Sequence, residues 1–240
     1  MSNTSTNPEN FNCRSFIYRK FKSSQVIWTE TNNYGIASSI TDPTIESDYV
    51  QQLAICDLSY LQRTGFKGAG ACEWLKNQNI NIPTSINHTL SNDDGCLIAR
   101  LGINDILIFD SLKNQTNLPI KLEQQWQYDY APGNKPCGFI VPRQDSHACF
   151  SVTGEYAPEM FAKLCAIDLR VKKFANNMIA QTSLARLSAI IIRRDLNAFS
   201  NYLVLVESAS AEYCWDCLLD AMQEFNGQIV GTSILATFSK

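Results

Sequence analysis

The chain has 240 residues, 45% hydrophobic and 18% charged, enough to bury a substantial core as one large domain or two small ones. With 20 Lys and Arg against 23 Asp and Glu, the formal charge is −3, which gives no reason to expect nucleic acid or an acidic membrane as partner. No run nears the roughly 18 apolar residues that cross a bilayer, the start is polar where a signal peptide is basic then apolar, and nine scattered cysteines suit reduced core thiols, so a cytosolic chain is expected.

Residues 1–24, rich in Asn, Ser and Thr with a basic group at Arg19, Lys20 and Lys22, are expected to form a flexible tail. Folded pattern then covers 25–240. Regular pattern begins near 25–28 and continues through 34–37, and strand-like runs then occupy 53–59 and 60–68. Ala71, Trp74 and Leu75 make the apolar face of a short helix that ends before Pro83. Two further strands are predicted at 96–101 and 106–109, with Gly102 in the turn between them.

The pattern from 147 to 227 is the clearest. A strand at 148–152 ends at Gly154, and a helix follows with Ala157, Met160, Phe161, Leu164 and Cys165 on one stripe. Pro158, Glu155 and Glu159 suit its first turn. Residues 185–193, around Ile190-Ile191-Ile192, and 202–206 form antiparallel strands joined by a turn at Asp195-Leu196-Asn197. A second helix over 208–225 carries Tyr213, Cys214, Cys217, Leu218, Ala221, Met222 and Phe225, and stops at Asn226-Gly227. Residues 228–238 supply a closing strand.

That order is β-α-β-β-α-β, with two helices on one face of an antiparallel sheet. The first half repeats it in register. Gly68 and Gly154 are 86 residues apart, and the pairs Ala71 and Ala157, Leu75 and Phe161, Arg100 and Arg186, and Leu101 and Leu187 share that offset. The expected architecture is an α+β fold of two tandem β-α-β-β-α-β-like pseudo-repeats with antiparallel sheets, at about 25–140 and 141–240.

Chemistry is sparse. Cys214-Trp215-Asp216-Cys217 has the spacing of a redox dithiol or half a zinc site, but it lies inside an amphipathic helix with no second pair, so core packing is expected. The only histidines, His88 and His147, fall in a polar loop and before a strand. Gly65-Phe66-Lys67-Gly68-Ala69-Gly70 lacks the Gly-Lys-Ser/Thr ending of a phosphate loop and reads as a turn. Asp57 closes an apolar run, where its carboxylate caps a turn or faces a cavity. Arg100 and Arg186 are placed in apolar strands, where each needs a carboxylate such as Asp168 or a carbonyl unless it lies at the sheet rim. Gln181-Thr182, before a buried strand, ties down a loop.

At these residues the chain resembles a known family. Residues 161–169 (FAKLCAIDL), Gln181-Thr182, Ala185-Arg186, the strand at 202–206 and the helix with Trp215 look like the gamma subunit of heterotetrameric sarcosine oxidase. The likeness covers 147–227, and extends more faintly to Asp57-x-Ser59, Gly68-x-x-Ala71 and Arg100-Leu101-Gly102. Those subunits resemble in turn the folate-binding domain of glycine-cleavage aminomethyltransferase. The resemblance implies a non-catalytic subunit that meets alpha most directly, with beta and delta in the same complex. FAD, FMN, NAD and tetrahydrofolate then belong to the complex, and no metal or catalytic residue to this chain.

The sequence departs from the catalytic family in two places. It ends without the C-terminal barrel domain, and Gly95-Cys96 separate Asp93-Asp94 from the strand they should open. Asp57, Asp94 and Arg100 remain as candidates for a groove. The alternative expectation is a free-standing tetrahydrofolate-binding protein that uses them.

Overall fold

In the computed structural model, residues 4–5, 7–21, 26–113, 115–130, 138–197 and 199–238 are described. Strands β1 (Thr4–Ser5) and β2 (Cys13–Arg14) flank the hairpin of β3 (Ile27–Thr31) and β4 (Tyr34–Ser39) in a sheet of order β1-β3-β4-β2. The hairpin turns at Asn32-Asn33, with φ of 51° and 65°, values that asparagine tolerates. Helix α1 (Pro43–Gln52) follows, its first turn capped by the Asp42 carboxylate, which accepts the Thr44 N–H at 2.9 Å. Strand β5 (Ala54–Asp57) comes next.

Within residues 1–24, expected as a flexible tail, the described part contributes apolar side chains to the core. Phe11 and Ile17 are buried, and Phe21 packs edge-on against Trp28 at 5.5 Å. Average composition hid these three apolar anchors among polar neighbours. The tail residues 1–3, 6 and 22–24 lie outside the described residues.

The second stretch runs β6 (Arg63–Lys67), α2 (Ala71–Asn77), β7 (His88–Ser91), β8 (Leu97–Gly102), β9 (Asp105–Phe109), α3 (Leu118–Asp129) and β10 (Phe139–Pro142). Its sheet has the order β10-β6-β9-β8-β7, with every pairing antiparallel. Trp74 of α2 and Trp126 of α3 pack on Phe66 of β6, at 5.2 and 5.3 Å between rings. Burial of large apolar side chains of this kind contributes about 1.5–3 kcal/mol each. Helix α3 is absent from the sequence expectation because only Pro119, Leu122 and Trp126 are buried along a mostly polar segment.

The third stretch runs β11 (His147–Thr153), α4 (Ala157–Phe161), β12 (Ile179–Leu184), β13 (Leu187–Arg193), β14 (Asn201–Glu207), α5 (Ala211–Met222), β15 (Gln228–Ile229) and α6 (Thr232–Phe238). The sheet order is β12-β13-β14-β11-β5-β15. The β13–β14 hairpin is antiparallel, with Ile190 opposite Leu205, and β15 runs parallel to its neighbour, β5. The α+β class and antiparallel-rich sheets are those expected, with one additional strand, β12, inside the plan. Residues 232–238 form a helix in place of the end of the closing strand. The buried stripe of α5 is Ala211, Cys214, Trp215, Leu218, Ala221 and Met222, while Tyr213 faces solvent.

The chain forms two compact units. One comprises Met1–Tyr60, His147–Asn176 and Ala180–Lys240, the other Leu61–Ser146 with Asn177–Ile179. The first unit draws on both expected pseudo-repeats, because β5 pairs with β11, Asp57 standing opposite Phe150. Gly154 marks that junction: φ is +110°, and a Cβ there would lie 2.4 Å from the Gln52 carbonyl oxygen. No helix among the described residues is long and apolar enough to cross a membrane.

Candidate functional site

Asp57 is the last residue of β5 and is 8% exposed. Its Oδ1 accepts the Ser59 N–H at 2.9 Å, and its Oδ2 accepts the Ser15 hydroxyl. Ser59 Oγ in turn accepts the Cys149 N–H at 3.1 Å, tying β5 to β11. The carboxylate therefore caps the turn after β5 and holds the N-terminal segment. Burial pushes the neighbouring Cys56 thiol and Tyr60 phenol above their ordinary values, with Asp57 adding to both shifts. Both groups stay protonated near neutral pH and supply no nucleophile.

Asp94 and Arg100 belong to the other unit. Asp94 lies exposed in the turn between β7 and β8, so the two intervening residues do place the Asp pair in a loop. Arg100, within β8, donates to the carbonyls of Thr84 at 2.8 Å, Pro83 and Ile103 at 3.0 Å, and Gly102 at 3.3 Å. Its donors knit loop backbone together. Among the described residues no hydrogen bond or ion pair joins Asp94 to Arg100, and Asp57 is part of the larger unit.

Of the alternatives open to Arg186, the rim position holds and a pairing with Asp168 does not. Ala185 and Arg186 form the two-residue turn between β12 and β13, with φ of 48° and 67°, and Arg186 is exposed there. Asp168 instead pairs with Arg170, with Arg170 Nη2 2.6 Å and Nε 2.8 Å from its oxygens. That arginine lowers the carboxyl from 3.8 to about 2. The buried arginine of this unit is Arg193, which sequence reasoning missed. Its guanidinium takes Asp195 bidentately at 2.7 and 2.9 Å and donates to the Phe174 carbonyl at 2.6 Å. The adjacent Arg193 and Asp195 were its only local signal.

Two cavities open in the larger unit. One, of about 450 Å³, is ringed by His147, Gln181, Thr182 and Ser188 over Ala189 and Ile190. The other, of about 550 Å³, has Glu159, Asp168 and Arg170 at its polar side and Ala162, Ala166 and Ile167 at its apolar side. A pterin requires a convergent carboxylate and aromatic walls. Among the described lining residues the first cavity has no carboxylate and neither has a Phe, Tyr or Trp, while the second carries Glu159 and an Asp168 engaged by Arg170. Gln181 and Thr182 meet in a cavity instead of only fixing a loop. Cys214 is pushed up to about 12, first by burial and then by Cys217, opposite to the lowered thiol of a reactive dithiol.

No family model matches the sequence, and no curated protein matches it. Solved structures do share the fold. A chain of heterotetrameric sarcosine oxidase from Corynebacterium sp. U-96, in complex with pyrrole 2-carboxylate, superposes with a TM-score of 0.61 at 16% identity, over 78% of this chain and 96% of that one. Glycine cleavage system aminomethyltransferase T from Bartonella henselae superposes with a TM-score of 0.68 at 11% identity, over 94% of this chain and 61% of that one. The chain thus spans about three fifths of the length of that aminomethyltransferase. At such identities the likeness is one of fold, and it is the fold that the motifs between 147 and 227 implied.

Proposed function

We propose that this protein is a non-catalytic, gamma-type subunit of a sarcosine oxidase complex, in which sarcosine is oxidatively demethylated and the one-carbon unit passes to tetrahydrofolate. The observation that carries this reading is a match extending over 96% of a chain in a heterotetrameric sarcosine oxidase. Its polar candidates point the same way: Asp57 and Arg100 spend their hydrogen bonds on their own backbone and side chains. Exposed anchors support an assembly role. Ile103 is 67% exposed and Phe139 56% in the smaller unit, of the apolar and aromatic kinds that interfaces bury.

In this reading the alpha subunit is the direct partner, beta and delta complete the cytosolic complex, and FAD, FMN, NAD and tetrahydrofolate are held by those subunits. The structural match over 94% of this chain to an aminomethyltransferase favours one alternative, a free-standing tetrahydrofolate binder. Titration calorimetry of the purified chain with tetrahydrofolate separates the two. Folded protein giving no heat agrees with the subunit role, and saturable micromolar binding overturns it.

A further inference from the structure

Charge is unevenly placed along this acidic chain. Residues 1–24 hold four cations, Arg14, Arg19, Lys20 and Lys22, against the single anion Glu9. The rest holds 16 cations against 22 anions, so a segment of net +3 precedes a body of net −6.

Folding divides those cations by role. Lys20 is neutralised by Asp216 at 2.7 Å and Glu212 at 3.9 Å. Arg14 and Arg19 instead share one ring: their guanidinium carbons lie 4.7 and 4.8 Å from the centroid of Tyr18. The two charges are therefore no more than about 9.5 Å apart. Among the described residues neither is in an ion pair with a carboxylate. The segment beneath is fixed by buried Ile17, by Ser15 on Asp57 and by a 3-10 turn at Tyr18–Lys20. A guanidinium held over an aromatic ring by cation–π attraction retains N–H donors, a fork that carboxylates accept bidentately.

We propose that the Arg14–Tyr18–Arg19 bracket docks a carboxylate-rich segment of a partner protein. Acidic side chains two apart on an extended chain, or four apart on a helix, stand roughly 5–7 Å from one another, within reach of both arginines at once. Guanidiniums already held on a ring lose less side-chain freedom on binding than mobile ones. A nucleic acid or an anionic membrane presents a broad negative field that the net charge of the body repels, whereas a short acidic segment meets only the bracket.

The test uses the full chain and fluorescein-labelled hexaglutamate, read by fluorescence anisotropy at about 20 and 150 mM salt. Phosphatidylserine vesicles and a single-stranded oligonucleotide serve as competing anions. Saturable peptide binding that weakens with salt is expected, and Arg14→Ala/Arg19→Ala lowers affinity at least about tenfold with circular dichroism unchanged. Arg14→Gln/Arg19→Gln gives the same loss and keeps side-chain bulk should the alanine pair disturb the segment. Absence of saturable binding to the wild type, equal affinity in a folded double variant, or tighter binding to vesicles or oligonucleotide overturns the proposal. None of these outcomes depends on whether the chain is a sarcosine oxidase subunit.

Discussion

Replacing Asp57 separates a structural carboxylate from a ligand-binding one. Asp57→Ala strands two donors, the Ser59 N–H and the Ser15 hydroxyl, at a position 8% exposed. Hydrogen bonds to charged groups contribute about 1.5–3 kcal/mol each, and losses within one network are not additive. The expected destabilisation is about 2–4 kcal/mol. Asp57→Asn is milder, about 1 kcal/mol, because the amide oxygen still accepts from Ser59 and the Ser15 hydroxyl can rotate to accept from the new NH₂. Urea unfolding gives the two values, and trypsin cleavage after Arg14 and Arg19 reports release of the N-terminal segment. A folded Asp57→Ala protein within about 0.5 kcal/mol of wild type, with unchanged trypsin resistance, would refute the reasoning.

Arg193→Ala leaves Asp195 and the Phe174 carbonyl without their buried partner, and should cost about 3–5 kcal/mol in denaturant unfolding. Gly154→Ala puts a Cβ against the Gln52 carbonyl at φ +110°, so a loss above about 1 kcal/mol is expected, measured in the same assay. Cys214, pushed up to about 12, should resist iodoacetamide at pH 8 while exposed Cys13 reacts, as peptide mass mapping would show. Asp168 is depressed from 3.8 to about 2 by Arg170. A depressed folded value means that its pairing is fully present above the ordinary carboxylate range and is lost as pH falls through about 2. A carboxyl NMR titration should show this midpoint, and Arg170→Ala should return it toward 3.8.

Periodicity made the β13–β14 hairpin and α5 legible, since Ile190-Ile191-Ile192 and the spacing of Cys214, Leu218 and Met222 are local signals. Gly154 was legible for a related reason, because its turn admits no side chain. The Ala185-Arg186 turn was hidden by residues that rarely take positive φ, so β12 and β13 looked like one strand beginning at 185. Helix α1 was hidden as well, its buried residues being Val50 and Glu46. Glu46 holds the N–H groups of Ile40 at 2.6 Å, Thr41 at 2.8 Å and, 185 residues away in sequence, Gly231 at 3.0 Å. No local pattern announces such a clamp. The candidate site behaved likewise: Asp57 was visible as a constrained carboxylate, but its partner Ser15 stands 42 residues earlier in a segment taken for a tail.

Assembly is the most direct test of the proposed role. Co-expression of the tagged chain with the alpha, beta and delta subunits of a sarcosine oxidase, followed by size exclusion with light scattering, reads the composition of the complex. The account predicts one stable complex containing this chain, and complete complex formation by the other three subunits with this chain left as a separate monomer would contradict it.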